Sequence, residues 1–380
     1  MNPLVKMQAL GQSAWHDNIH RGLLTGGQLK KLIDAGEITG LTSNPTIFEQ
    51  AIGKTRDYDD AIVKLAKAGK SAAEIFDALA IEDLKAAAAL FRPVYDRTKG
   101  GDGYVSIEVN PRLANDTQAT ISEAARLWKA VEMPNLMVKI PATLAGLPAI
   151  ERSIADGINI NITLIFSLDR YDAVMEAYLA GLSQRAKKGL ELNRIASIAS
   201  FFVSRVDTAV DPMLEEKAKQ NPGKAAEILA LQGKAAIANA KLAYEMFLKK
   251  FGSSRFADLE KKGARRQRPL WASTSTKNPK YQDIYYVEAL LGPESVDTMP
   301  PATIDAYRDH GKPEIRLTRD MDSARQVMEK LATAGVDMKA VTHKLEIDGV
   351  ASFSKSYESL IATVDSRRQA IFSEKVQAAG

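Results

Sequence analysis

Residues 136–141 read Leu136-Met137-Val138-Lys139-Ile140-Pro141, a strand-length apolar run with one ammonium inside it. Leu136, Val138 and Ile140 alternate with Met137 and Lys139, which is the two-residue period of a β-strand. The same pattern recurs on both sides. Over residues 104–110, Val105, Ile107 and Val109 share one face, and Ser106, Glu108 and Asn110 the other. Over 159–166, Ile160, Ile162 and Leu164 alternate with Asn159, Asn161 and Thr163. Further apolar runs of strand length lie at 38–42, 195–202 and 269–273, with shorter ones at 14–17 and 296–299.

Helix-length stretches separate these runs. Ser71 with Glu74 reads as a capping box that opens a long Ala-rich helix ending before Pro93. Phe76, Ala80, Leu84, Ala87 and Phe91 recur along it at helical spacing and predict one buried face. Thr25 with Gln28 reads as another box, before a helix over 29–35 that Gly36 closes. Asn115 or Asp116 is placed to cap the next helix, and Ser167 the one after the 160–166 run. Eight strand candidates alternating with helices predict an α/β fold with parallel strands, a (β/α)8 barrel. Such a barrel takes ~250 residues, and the chain has 380. The excess reads as helix: 52–92, 223–251, and a C-terminal extension from about 320 to 380. No linker divides the chain, so a single domain over 1–380 is expected.

Composition narrows the function. Lys and Arg number 51 against 47 Asp and Glu, a net charge of +4, and 45% of residues are hydrophobic. That balance is neither a disordered chain nor the strongly basic surface of a nucleic-acid binder. With no cysteine, thiol nucleophiles, disulfides and iron–sulfur clusters are excluded, which suits a reducing compartment. The longest apolar stretch free of charge, 157–168, contains two asparagines and falls short of the ~20 residues that span a bilayer. Residues 1–20 lack the apolar core and cleavage site of a secretory signal. A cytoplasmic protein with no membrane or nucleic-acid partner is expected.

Glu108 and Lys139 stand on faces that a barrel turns inward, where a charge is costly unless paired. Lys139 is also at the end of its strand, where barrels keep their chemistry. A desolvated amine there is able to attack a ketone and form a Schiff base, an electron sink for C–C cleavage without metal or cofactor. A structural ion pair with Glu108 is the alternative. Other motifs carry less. Gly53-Lys54-Thr55 lacks the first glycine of a phosphate loop, because Phe48 stands there. The glycines at 100, 101 and 103 precede a strand and read as a flexible approach. His16 and His20 have i, i+4 spacing but no third ligand nearby, so surface or capping roles are expected and no metal site is assigned. Lys261, Lys262, Arg265, Arg266 and Arg268 read as a solvated basic loop.

Two stretches resemble transaldolase signatures: Gly40-Leu41-Thr42-Ser43-Asn44-Pro45, and Leu136-Met137-Val138-Lys139-Ile140-Pro141-Ala142-Thr143 followed by Gly146. Residues 157–167, 200–207 and 271–279 are similar to that family as well, so the likeness covers nearly the whole chain. It is to the longer form of the family, without a fused phosphoglucose-isomerase half. The resemblance implies a barrel enzyme that needs no cofactor. Such an enzyme moves a dihydroxyacetone unit from a ketose phosphate (sedoheptulose 7-phosphate or fructose 6-phosphate) to an aldose phosphate (glyceraldehyde 3-phosphate or erythrose 4-phosphate). It acts as a monomer or homodimer in the non-oxidative pentose phosphate pathway. Lys139 matches the Schiff-base lysine and Asp17 the base that opens the C–C bond. Glu108 matches an acid/base acting through a water, and Thr163 the hydroxyl holding that water. Thr42 and Asn44 match contacts to the three-carbon unit, and Asn161 joins them as substrate-binding. Ser200, Phe202 and Arg205 match the set on the sixth strand, with Arg205 on substrate phosphate, and Ser273 matches a phosphate-binding serine. The compact family members carry a second arginine where this chain has Ser275, and Lys277 is the candidate replacement. A Schiff-base aldolase releasing free dihydroxyacetone and a non-catalytic sugar-phosphate-binding barrel are the alternatives.

Overall fold

Eight parallel strands close into a barrel in sequence order. They are β1 (Gln12–Asp17), β2 (Gly40–Thr42), β3 (Val105–Glu108), β4 (Leu136–Pro141), β5 (Ile160–Ile165), β6 (Ser197–Phe202), β7 (Arg268–Ala272) and β8 (Ser295–Met299). The computed structural model describes residues 2–378, with side chains through 370. All eight strands fall on the strand candidates of the sequence, three of them marked by two-residue alternation and the rest by apolar runs. Apolar strand members such as Val138 and Ile140 of β4 and Ile160 and Ile162 of β5 are fully buried on the side that faces the helices. Covering both faces of the sheet in this way is what allows parallel strands.

Register sets the site. Asp17 of β1 pairs with Thr42 of β2, Glu108 of β3 with Lys139 of β4, and Pro141 of β4 with Thr163 of β5. These pairs lie at the C-terminal rim, so one ring of neighbouring strands delivers five polar side chains to one end of the barrel. Immediately after Thr163 the β5–β6 ladder shifts register, between Ile162 and Ile165. There Leu164 adopts φ +61°, a conformation that costs a bulky side chain ~1–3 kcal/mol and persists only where packing imposes it.

The predicted caps are partly realised. The Ser71–Glu74 capping box forms at the start of the helix Ala72–Arg97, and Asp116 and Ser167 cap the helices Thr117–Val131 and Leu168–Lys187. Two expectations are corrected. The helix does not stop before Pro93 but continues through it to Arg97. Pro93 and Ala89, one turn earlier, both lie on the exposed face; the carbonyl that loses its N–H partner there faces solvent, which lowers the cost of an interior proline. The Thr25–Gln28 box does not form either. Thr25 ends a short helix, Arg21–Thr25, and its hydroxyl donates back to Arg21 O at 3.0 Å. Gly27, at φ +74°, begins Gln28–Asp34 without a side-chain cap.

His16 lies on β1, so its spacing from His20 is not that of one helix face. It is buried, and burial holds its imidazole down at about 4; His20 caps Arg21–Thr25, accepting from Leu23 N at 3.1 Å. The basic cluster is not simply a solvated loop. Arg268 begins β7 and donates to Ser13 Oγ and Ser295 O, each at 2.6 Å, closing the N-terminal end of the barrel. Arg265 donates to main-chain oxygens of Asn193 and Lys99, and Arg266 pairs with Glu294 at 2.8 Å. Gly103, at φ +86°, sits where a Cβ would lie 2.4 Å from Tyr95 N, so the glycine permits a close approach into β3.

The helical excess lies where expected, in Ala72–Arg97, Ala235–Phe251, Met321–Thr333 and the C-terminal helix Met338–Ala378. The last of these crosses the C-terminal rim of the barrel. Its Ser356 accepts from Thr46 Oγ1 at 2.8 Å, and its Arg367 pairs with Asp59 at 2.9 Å. Among the described residues, no helix is long and apolar enough to cross a membrane.

Candidate active site

A cavity of about 590 Å³ opens at the C-terminal end of the barrel. Of the residues singled out in the sequence, Asp17, Thr42, Asn44, Lys139, Thr163, Ser200, Phe202, Arg205, Ser273 and Lys277 all line it. Glu108 and Asn161 do not. Glu108 stands beside Lys139, and Asn161 lies beneath the floor, accepting from Ser200 Oγ at 2.7 Å and donating to Ser106 Oγ at 3.1 Å.

Lys139 is brought to the floor by β4. Its Nζ donates to Ser43 O at 3.0 Å and lies 3.3 Å from Glu108 Oε2. The two side chains are only 7% and 3% exposed, so the pair is desolvated. The contact is an ion pair without hydrogen-bond alignment, and neither Glu108 oxygen has a hydrogen-bond partner among the described residues. Burial pushes the Glu108 carboxyl above the usual carboxylate range; Lys139 opposes that rise, and the nearby Asp17 adds to it. Thr163 Oγ1, on the neighbouring strand, is likewise buried without a partner.

Asp17 ends β1. Burial raises its pKa, while a hydrogen bond from Thr42 Oγ1 at 2.7 Å and the charges of Lys139 and Lys277 draw it down. Thr42 Oγ1 is also 2.5 Å from Thr298 Oγ1 of β8. Asn44 holds the start of the helix Pro45–Lys54, accepting from Ile47 N at 3.0 Å.

Across the cavity, Arg205 stands in the first turn of the helix Ser204–Gln220. Its guanidinium lies 5.2 Å from the ring centre of Phe202 and 5.9 Å from that of Phe353. The neighbouring Asp207 turns away, accepting from Ala236 N and the Tyr286 hydroxyl. Burial lowers the pKa of Arg205, and Lys277 is held below the usual lysine range by desolvation and then by Arg205. Lys277 Nζ donates to Ser275 Oγ at 2.8 Å. Ser273, at φ +58°, lies 3.0 Å from Ser204 Oγ. Two cations, serine hydroxyls and a helix N-terminus thus converge on one wall, a setting suited to a phosphate.

Thr298 and Phe353 are among the lining residues that the sequence reading did not single out. Thr298 had no signal in the two-residue period, because it shares a face with apolar Val296 and apolar residues mark the helix-facing side of β3 to β5. Phe353 had none, because only the fold carries it from the C-terminal helix to Arg205.

Comparison with known proteins places these features in context. Residues 14–364 match the family model described as Transaldolase/Fructose-6-phosphate aldolase. Proteins named Transaldolase are similar along almost their whole length. The one from Trichodesmium erythraeum is 45% identical over 370 residues, covering 96% of this chain and 97% of its own. That from Thermobifida fusca is 47% identical over 368 residues, covering 96% and 97%. That from Mycolicibacterium smegmatis is 46% identical over 364 residues, covering 95% and 96%.

Proposed function

The chain belongs to the transaldolase/fructose-6-phosphate aldolase family, and from that premise we propose how its residues divide the work of dihydroxyacetone transfer. It is an enzyme of the transaldolase type. The unit passes from a ketose phosphate to an aldose phosphate through a Schiff base. The residue roles are our own reading, and the contact between buried Lys139 and buried Glu108 at the cavity floor carries it.

The Lys139 amine is the nucleophile. Two opposite charges held out of water are costly even when paired, and burial already favours a proton on Glu108. Glu108 therefore takes the proton that Lys139 must shed before attack, and the free amine adds to the donor's ketone. The resulting carbinolamine loses its hydroxyl as water, with Glu108 returning a proton to that oxygen. Thr163 and Glu108, both with unpartnered polar atoms beside Lys139, hold the water through which these protons move.

Asp17 works at the other end of the bond. Burial raises its pKa, Thr42, Lys139 and Lys277 oppose that rise, and in its ionised form it accepts the proton of the hydroxyl adjacent to the bond that breaks. The electron pair of that bond flows into the protonated imine, the aldose leaves, and an enamine of dihydroxyacetone stays on Lys139. The acceptor aldehyde then enters, and the same steps run in reverse. Thr42, Asn44 and Ser200 hold the three-carbon unit, with Asn161 fixing Ser200 from below. Arg205, Ser273 and Lys277 bind the phosphate, Lys277 replacing the second arginine absent at Ser275. All these groups come from one chain, so a monomer or each protomer of a homodimer suffices. A cytoplasmic location accords with the absence of cysteine.

Supplying fructose 6-phosphate with and without erythrose 4-phosphate tests the assignment. Sedoheptulose 7-phosphate should form only with the acceptor. Sustained release of free dihydroxyacetone without acceptor would instead mark a hydrolytic aldolase.

A further inference from the structure

Arg205 is a half-buried cation that has no ion pair and no side-chain hydrogen bond among the described residues; ring faces contact it instead, Phe202 at 5.2 Å and Phe353 at 5.9 Å. An uncompensated buried charge is costly, and aromatic faces repay part of that cost while leaving every N–H free. Phe202 is the near neighbour of Arg205 on β6 and is itself packed against Phe166, ring centres 5.1 Å apart. Phe353 is different. It is supplied by the helix Met338–Ala378, nearly 150 residues further along the chain.

The placement of that helix is specific. Gly349, Phe353, Ser356 and Leu360 follow one another at intervals of four, three and four, so they share one face. Gly349 lies against β5: a Cβ there would be 3.0 Å from Leu164 Cδ2 and 3.6 Å from Phe166 Cε2. Ser356 accepts from Thr46, in the helix that Asn44 caps, and Leu360 is fully buried. The close approach at Gly349 brings Phe353, 4% exposed, onto the wall of the 590 Å³ cavity.

We infer that Phe353 is a positioning residue for substrate phosphate: its ring holds the Arg205 guanidinium between two aromatic faces, so the C-terminal helix forms part of the sugar-phosphate site. This rests on the reading of Arg205 as the phosphate ligand. The ring limits the freedom of the guanidinium and leaves its N–H groups available at the cavity wall, where the oxygens of a phosphate make the strongest acceptors. Phe353 makes no contact with the bond that breaks, so its contribution falls on binding rather than on the chemical step.

A double-mutant cycle tests it, with KM for fructose 6-phosphate, kcat, and competitive inhibition by inorganic phosphate as readouts. Phe353→Leu, which fills the space without a ring face, should raise KM and the inhibition constant of phosphate roughly 3- to 30-fold, the span of a cation–π contact from exposed to desolvated settings, with a smaller fall in kcat. Phe353→Tyr should restore both constants. In an Arg205→Ala background, Phe353→Leu should add nothing. Phe353→Met gives the same comparison if the leucine variant fails to fold. An unchanged KM in the leucine and methionine variants, or an equal rise with and without Arg205, overturns the inference while leaving the phosphate role of Arg205 standing. An unchanged KM in Arg205→Ala alone removes that role, and the inference with it.

Discussion

Thr42 Oγ1 donates to Asp17 Oδ1 at 2.7 Å across the β1–β2 register pair. Burial pushes the Asp17 carboxyl up, and this hydrogen bond is the first of the influences that hold it down. A general base works only when ionised, so activity is lost as pH falls through its pKa. Thr42→Val removes the donor and should move the acid limb of the cleavage profile to higher pH, with Thr42→Ser restoring it. Asp17→Ala should still form the Schiff base yet lose ~10²–10⁴ in cleavage rate, so the adduct of the intact ketose accumulates. If Asp17→Ala forms no adduct at all, Asp17 serves Lys139 directly and the division of roles is wrong.

Glu108→Gln keeps the shape of the floor but removes the group that accepts and returns protons beside Lys139. Formation and hydrolysis of the Schiff base should both slow by ~10²–10⁴, while KM for the donor, set by the opposite wall, changes little. Rapid-quench borohydride trapping measures the formation rate. Trapping as fast as in the wild type would show that Glu108 is only a counter-ion.

Arg205→Ala should raise KM for phosphorylated donors ~10- to 150-fold, the worth of a hydrogen bond to a charged group, with a smaller fall in kcat. The preference over unphosphorylated sugars should narrow. Lys277→Ala should act in the same direction more weakly, because the lysine is a point charge on a flexible, exposed stem. Loss of thermal stability with an unchanged KM in Arg205→Ala would contradict the phosphate assignment.

The barrel was legible because its strands obey a two-residue period wherever one face meets the helices, as at Val105, Ile107 and Val109. The polar residues on the other face, Glu108, Lys139 and Thr163, marked the site by violating what an apolar interior requires. Local signals fared worse where tertiary context outweighs them. Thr25 has the spacing of a capping box but serves the end of the preceding helix, and Pro93 sits on a face where solvent reaches the freed carbonyl. Arg268, one of five basic residues in an apparent surface loop, closes the barrel floor because β7 starts at that residue. Phe353 illustrates the limit: a contact between residues so far apart in the chain leaves no trace in local spacing.

Asp297 of β8 lies outside the chemistry, fully buried, with Thr274 Oγ1 donating to one oxygen at 2.8 Å and the other oxygen unpartnered among the described residues. Burial pushes its carboxyl up to about 7, against 3.8 for the ordinary group. Between those values the native state holds a proton that the unfolded chain does not, so stability falls as pH rises through the window and the deficit is complete above about 7. Asp297→Asn should flatten the decline of Tm between pH 4 and 7 and raise Tm at pH 8 relative to the wild type. A melting series showing the same slope in both proteins would rule out this carboxyl as its source.

The central claim is that Lys139 carries the three-carbon unit. The protein is incubated with fructose 6-phosphate, reduced with borohydride, digested and sequenced by mass spectrometry. The account predicts one adduct, equal in mass to a reduced dihydroxyacetone unit, on the peptide containing Leu136-Met137-Val138-Lys139, and none in Lys139→Arg. An adduct on any other lysine, or turnover with no trappable adduct on Lys139, would contradict it.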